Sequence, residues 1–320
     1  MTEFTSGFAS KLCAMLDFRE SRGYKRETYL RSLIRFDKYC AEHFHESYEL
    51  TREIVHSWID NETWAAYGLT GAASTIRQFG KYLNAVNEEA YILPDKFSPS
   101  KAAFIPYMFT DAELAALFHA VDCLPPDRNE PFLSEIAPVL LRLTYTCGLR
   151  PNESRELFVD NVNLKNGEIL ITKTKHMKER VVVMSDDMLK MSRRYDRRRR
   201  IFGNDSPYFF PASDGKAFRS AKILAALNKA WTAATCTPLN PVPHTIRTYD
   251  LRHRFASACL NRWLDEGRDL MAMLPYLRAY MGHGELTETA YYIHVLPENL
   301  VKSPAIDWDV FNSMFPEVEV

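Results

Sequence analysis

Between Pro94 and Pro106 three prolines fall within thirteen residues that carry no apolar periodicity. A regular helix or strand does not run through such a stretch. It divides the 320-residue chain into two parts, each long enough to bury a core of its own. The boundary this predicts lies at 105/106, with domains over 1–105 and 106–320 and a terminal tail over 304–320.

The first part reads as helices from about residue 7 to 92. From Arg26 to His43, Tyr29, Leu30, Leu33, Ile34 and Phe36 recur on one side at helical spacing, with Arg31, Arg35 and Lys38 interspersed. Thr51 can cap a shorter helix holding Ile54, Val55, Trp58 and Ile59. Ser74 is the expected cap of a helix that turns Ile76, Phe79, Tyr82, Leu83 and Val86 inward and leaves Arg77 and Lys81 outside. The expectation is a bundle of about four helices.

The second part opens on Thr110-Asp-Ala-Glu113, a capping box ahead of Leu114, Leu117, Phe118 and Val121. Phe132 to Thr146 is a strongly apolar helix. Gly148 suits the left-handed residue that ends it and Pro151 the first position of the next, so Arg150 is pinned in a tight turn. Glu168 to Thr172 and Arg180 to Met184 are β-rich runs around a basic turn holding Lys173, Lys175 and Lys178, which predicts an antiparallel pair. Helices are expected over Met188–Arg200, Ala221–Thr235, Leu251–Trp263 and Leu270–Tyr280, and a short one over Thr287–Ile293 carries adjacent tyrosines, Tyr291 and Tyr292. The fold class expected is mainly α with a small antiparallel β-sheet: a helical N-terminal domain and an α+β domain after it.

Composition narrows the function. No run of about eighteen apolar residues occurs and the N-terminus lacks a basic-then-apolar leader, so the expected compartment is the cytoplasm, with no membrane partner. The six cysteines (13, 40, 123, 147, 236 and 259) show no metal-ligand spacing and read as small buried apolar groups. The net charge of −1 conceals segregation, since residues 173–200 hold eleven Lys/Arg against four Asp/Glu. A basic block of that kind is a footprint for phosphate contacts; taken alone it also fits a solvated charged helix.

The chemistry sits in four motifs whose order is their strongest property. Cys147-Gly-Leu-Arg150-Pro-Asn-Glu153 is followed by Lys175 within Thr174-Lys-His-Met-Lys178-Glu-Arg180, by Tyr249-Asp-Leu-Arg252-His253-Arg-Phe-Ala-Ser257, and by Met281-Gly-His283 nine residues ahead of Tyr292. Breaking a phosphodiester without a metal requires an in-line nucleophile, charge stabilisation on the non-bridging oxygens and a proton for the departing oxygen. Two arginine forks, a phenol, a lysine and a histidine cover those tasks.

Across about 108–300 these motifs resemble the tyrosine recombinases, the phage-integrase family of strand-exchange enzymes. The resemblance implies that Arg150 and Arg252 grip the scissile phosphate, that Glu153 supports Arg150, that Lys175 is the general acid, that His283 hydrogen-bonds the phosphate and that Tyr292 forms a 3′-phosphotyrosyl bond. Lys173 and Lys178 compete for the lysine role, and Tyr291 stands one residue off the spacing. Tyr249 occupies the place of the histidine usual in the Arg252-His253 box, a departure that leaves the general base open. His244-Thr-Ile-Arg247 is a second, poorer register for that box.

The resemblance further implies a site-specific recombinase or integrase of mobile elements, acting on double-stranded DNA at a specific site without metal, ATP or other cofactor. It would work as a tetramer on DNA, with two domains closing on the duplex like a clamp. Arg31, Lys38, Arg77 and Lys81 are the expected DNA contacts of the first domain, and Lys173, Lys178 and Arg180 those of the second. The apolar, acidic tail with Trp308, Val310, Phe311, Met314 and Phe315 would dock on a neighbouring protomer, the alternative being its own domain. Two rival functions fit the same residues: a type IB topoisomerase, and a DNA-binding architectural protein that does not cleave.

Overall fold

The computed structural model describes residues 4–45, 47–61, 64, 68–97, 106–172, 179–201, 205–235 and 245–294. Chain packing gives two compact units, Met1–Phe104 and Ile105–Val320.

In the first unit, helices α1 (Ala9–Ser21), α2 (Glu27–His43), α3 (Arg52–Asn61) and α4 (Gly68–Ala85) enclose an aromatic core. Phe36 lies edge-on to Trp58 at 5.2 Å between ring centres and tilted to Phe8 at 5.6 Å. Such contacts add to what area burial alone contributes. Thr51 accepts the amide of Ile54 and so caps α3 as expected. The start of α4 differs from expectation. The helix begins at Gly68 and Ser74 lies inside it, because Gly71, Ala72 and Ala73 are too small to advertise an apolar period yet pack well as helix. Ile34 and Val86 are exposed, while Asp37 is buried. The Asp37 carboxylate accepts the amides of Thr5 and Ser6 and both their hydroxyls, which ties the N-terminal segment to α2.

In the second unit, α5 (Asp111–Asp122) starts at the predicted box, with Thr110 and Glu113 capping each other. Helix α6 (Leu133–Thr146) lies in the main core, and α7 (Pro151–Arg155) comes after a tight turn. Strands β1 (Val162–Asn163), β2 (Glu168–Ile171) and β3 (Arg180–Val183) form an antiparallel sheet in that order. Ile169 pairs with Val182 and both face the core, while Leu170, Val181 and Val183 face outward. The β2–β3 pair matches expectation and β1 is an addition; the turn with Lys173, Lys175 and Lys178 lies outside the described residues. Helix α8 (Asp186–Ile201) is succeeded by α9 (Ser220–Ala234), α10 (Thr248–Asp265), α11 (Leu270–Met281) and α12 (Leu286–His294). The last three form a second, smaller core with Leu260, Leu274, Leu277 and Met281.

The basic block on α8 is less free than its composition suggests. Arg199 is buried against Asp196, Arg200 also reaches Asp196, Arg198 pairs with Glu135, and Arg193 caps the carbonyls of Leu164 and Lys165. Arg194 and Arg197 remain exposed. Among the described residues no helix is long and apolar enough to cross a membrane. The terminal tail, Pro304 onward, lies outside the described residues, as does His244.

Candidate active site

The turn after α6 creates the first side of the site. Gly148 has φ +58°, and a Cβ there would meet the Phe255 ring at 2.4 Å, so conformation and space both require glycine. The chain then places Arg150 directly before Pro151, the first residue of α7. The Arg150 amide and its Nη1 donate to Glu153 at 2.9 Å each, and its Nη2 donates to the Gly282 carbonyl at 2.6 Å. Burial works against the charge of Arg150, but the hydrogen bonds to Glu153 outweigh it and raise its pKa.

Glu153 is the junction of the network. Besides Arg150 it accepts Nη1 and Nη2 of Arg180 at 2.9 and 2.6 Å. Burial favours the neutral acid, but Arg180 and Arg150 overcome that and hold the carboxyl below its usual range. Arg180 also donates Nε to the Tyr280 carbonyl at 2.8 Å. Its side chain is 8% exposed, so this residue, expected to touch DNA, instead joins β3 to α7 and to the end of α11. Arg77 of the first unit differs in the same way: it donates to the carbonyls of Leu93 and Pro94 and faces Asp95. Lys81, Arg31 and Lys38 are exposed on that unit.

The second arginine comes from α10, which begins at Thr248, three residues earlier than expected, and therefore carries Tyr249 on its first turn. Arg252 is 0% exposed. Its Nη1 donates to the Gly148 carbonyl at 2.6 Å and its Nη2 to the Met281 carbonyl at 2.7 Å, bridging the two turns that flank the site. Burial lowers its pKa, the opposite direction to Arg150.

The third side is the loop between α11 and α12. Gly282 closes α11 in the left-handed conformation, and a Cβ there would stand 2.9 Å from Arg180 Nη1. The next residue, His283, faces Arg252 Nη2 with its Nε2 at 2.9 Å and Thr289 with its Nδ1 at 2.8 Å. A guanidinium can only donate, so Nε2 carries the lone pair and Nδ1 the proton. Burial first, and then Arg252 and Arg150, push its pKa down to about 3, which keeps the ring neutral. His253 is likewise pushed down to about 4 by burial and then by Arg252.

Tyr292 completes the cluster from α12 and is 3% exposed. Its ring lies parallel to that of His283 at 5.7 Å and tilted to that of His253 at 5.1 Å. Burial raises its pKa, and the charge and hydrogen bond of Arg252 oppose the rise. The Tyr249 hydroxyl meets Arg150, and its ring lies 6.0 Å from the Arg252 guanidinium carbon. Of the expected site residues, Arg150, Glu153, Tyr249, Arg252, His253, His283 and Tyr292 thus converge. Lys173, Lys175 and Lys178 lie outside the described residues, as does the side chain of Tyr291. The sequence reading missed Thr289 and the positioning role of Arg180. A threonine six residues after the histidine was the available signal for the first; nothing in the sequence marks the second.

Comparison with known proteins gives the family and the fold. A family model described as the phage integrase family matches residues 109–299. A putative integrase/recombinase of Sinorhizobium fredii is 28% identical over 92% of this chain and 93% of its own. Tyrosine recombinase XerD of Pseudomonas putida is 27% identical over 86% of this chain and 88% of its own. Among solved structures, XerH site-specific recombinase bound to difH substrate before cleavage shares the fold with a TM-score of 0.62 at 18% identity, covering 90% of this chain and 82% of that one. A lambda integrase dimer bound to a COC′ core site has a TM-score of 0.59 at 15% identity, covering 88% and 94%.

Proposed function

The chain belongs to the phage integrase family of tyrosine recombinases, and from that premise we infer that it is a site-specific DNA recombinase that cleaves and rejoins strands through Tyr292. The observation that carries the reading is the convergence of Arg150, Arg252, His283 and Tyr292, drawn from four separate segments, on one cluster.

Each group has a task set by its chemistry. The Tyr292 oxygen attacks the scissile phosphorus, a P–O bond to tyrosine forms, and the bond to the 5′-oxygen breaks. Lys175 gives that oxygen its proton, and the phenol proton of Tyr292 leaves to solvent. Arg150 and Arg252 stabilise the charge that builds on the non-bridging oxygens, where a fixed, partly dry cluster of donors acts most strongly. In the free protein Tyr292 is buried and under the charge of Arg252; the incoming phosphate takes its place beside the guanidinium and the phenol turns to face phosphorus. The ester conserves the bond energy, so a 5′-hydroxyl from a partner strand can reverse the step without a nucleotide.

The DNA partner is a duplex with a recombination site, which the DNA-bound structures of XerH and lambda integrase support by analogy. The reading extends to four protomers on two sites, with residues 1–105 contacting DNA through Lys81 and Arg31 and the tail 304–320 docking on a neighbour. Nothing favours a topoisomerase or an inert DNA-binding protein.

The test is covalent capture. Incubated with sheared DNA from its host and denatured, the wild type should retain DNA that resists detergent, and Tyr292→Phe should not. Equal retention by both would contradict the reading.

A further inference from the structure

His283 meets two partners of unlike chemistry, and one of them is committed to a single role. The Arg252 guanidinium, 2.9 Å from Nε2, is a donor in every state. The Thr289 hydroxyl, 2.8 Å from Nδ1, has one proton to give and two lone pairs with which to receive. Thr289 is 0% exposed, so water does not stand in for it. It lies on α12 three residues before Tyr292 and therefore on the same side of that helix.

A neutral imidazole carries its proton on one nitrogen, and the hydrogen bond made at the other decides which. With Arg252 donating to Nε2, the proton sits on Nδ1 and Thr289 receives it. A phosphate reverses what Nε2 must do. Phosphate oxygens accept, so a neutral His283 that bonds one has to present an N–H at Nε2 and a lone pair at Nδ1. A carboxylate or backbone carbonyl at Nδ1, the usual partner of a histidine with one fixed tautomer, would hold the proton where it is. A hydroxyl serves both forms by turning about its own bond. On the premise that the site cleaves DNA as a recombinase, we propose that Thr289 is a positioning residue that lets His283 exchange tautomers: it receives the Nδ1 proton in the free protein and donates its own proton to Nδ1 once Nε2 faces the scissile phosphate.

The exchange leaves the charge of the site unchanged, since Nδ1 gives a proton to water and Nε2 takes one from water. The surroundings disfavour the other way of presenting an N–H at Nε2, which is to protonate the ring twice. Burial, Arg252 and Arg150 together push the His283 pKa down to about 3, and both guanidiniums stay beside the ring when a phosphate arrives. Thr289 is thus matched to a ring that keeps a single proton and has to move it.

The test has a spectroscopic and a kinetic arm, both on the full chain and on a nicked duplex carrying the site recovered from covalently captured DNA. In the first, Tyr292→Phe protein with nitrogen-15-labelled histidine is measured by NMR with and without the duplex, the His283 signals being those lost on adding His283→Gln. The proton is expected on Nδ1 in the free protein and on Nε2 in the complex. A ring that keeps its proton on Nδ1 in the complex, or carries one on both nitrogens, overturns the proposal. In the second arm adduct formation is timed at saturating protein near neutral pH. Thr289→Val should slow it by about 10- to 100-fold while changing the Kd for DNA less than about threefold, and Thr289→Ser should recover most of the rate. An unchanged rate in Thr289→Val, or an equal loss in Thr289→Ser and Thr289→Val, also overturns it. Should Thr289→Val fail to fold, Thr289→Ser and the NMR arm decide. A Tyr292→Phe variant that still forms adduct on this duplex would refute the function itself and leaves a separate signature.

Discussion

The two units of this chain bury polar groups in contrasting ways. The N-terminal unit holds an almost wholly apolar and aromatic interior, in which Asp37 is the charged residue among the described buried ones, and that carboxylate closes on local amides and hydroxyls. The second unit buries Glu153, Arg252 and His283 within one contiguous network that couples each to another part of the chain, with the His253 ring beside Tyr292. Desolvating charge is costly, and a fold built for stability alone does as well with apolar side chains. The difference teaches where function lies: burial of charge in the first unit fastens a terminus, whereas in the second it holds the donors of the proposed active site in fixed positions.

That contrast can be broken by substitution. The largest effect is expected at Arg252. Arg252→Lys keeps the charge but cannot bridge the Gly148 and Met281 carbonyls while touching His283, so adduct formation should fall at least about 1,000-fold; a fall under tenfold, measured on the same nicked duplex, would deny Arg252 its place in the chemistry. Next comes Glu153→Ala, which leaves Arg180 and Arg150 without their shared carboxylate in a buried setting and should destabilise the second unit by about 3–5 kcal/mol in urea unfolding. Loss of less than about 1 kcal/mol would mean that the network is not what holds the turns together.

The pH dependence sharpens the comparison. Folded His253 and His283 protonate only near 4 and 3, against 6.5 for an ordinary histidine. Between those values the unfolded chain binds more protons, so stability of the second unit should fall as pH drops from about 6.5 toward 4, by up to about 1.4 kcal/mol per pH unit for each histidine. No described histidine of the first unit is buried, so amide exchange read by mass spectrometry should report the decline in the second unit alone. The smallest effect is expected for Asp37→Asn, which retains an acceptor for one of the Thr5 and Ser6 amides and turns an NH2 toward the other. It should cost about 1–2 kcal/mol in the first unit and leave the rate of adduct formation at saturating protein unchanged.

Much of the architecture is legible in the sequence. Gly148 and Pro151 fix the Arg150 turn through backbone geometry, Thr110 and Glu113 cap α5 locally, and Ile54, Val55, Trp58 and Ile59 mark the inward face of α3. These are short-range effects, and short-range effects are written in neighbouring residues. What escaped was set by partners distant in sequence. Arg77 and Arg180 look like solvent-facing cations, yet one meets the carbonyls that return across α4 and the other a carboxylate 27 residues away. Asp37 has the pattern of an exposed helix residue until the N-terminal segment folds over it. The start of α4 was hidden by small residues without apolar contrast. Tyr249 could be placed in its motif by register, but its contact with Arg150 depends on two helices meeting.

Everything turns on whether Tyr292, and no neighbouring phenol, becomes joined to DNA. Covalent complexes digested with trypsin and nuclease and fragmented in a mass spectrometer would show which side chain bears the nucleotide. The added mass is expected on Tyr292, with Tyr291 and Tyr249 unmodified; nucleotide on either of those residues, or on none, would contradict a Tyr292 nucleophile.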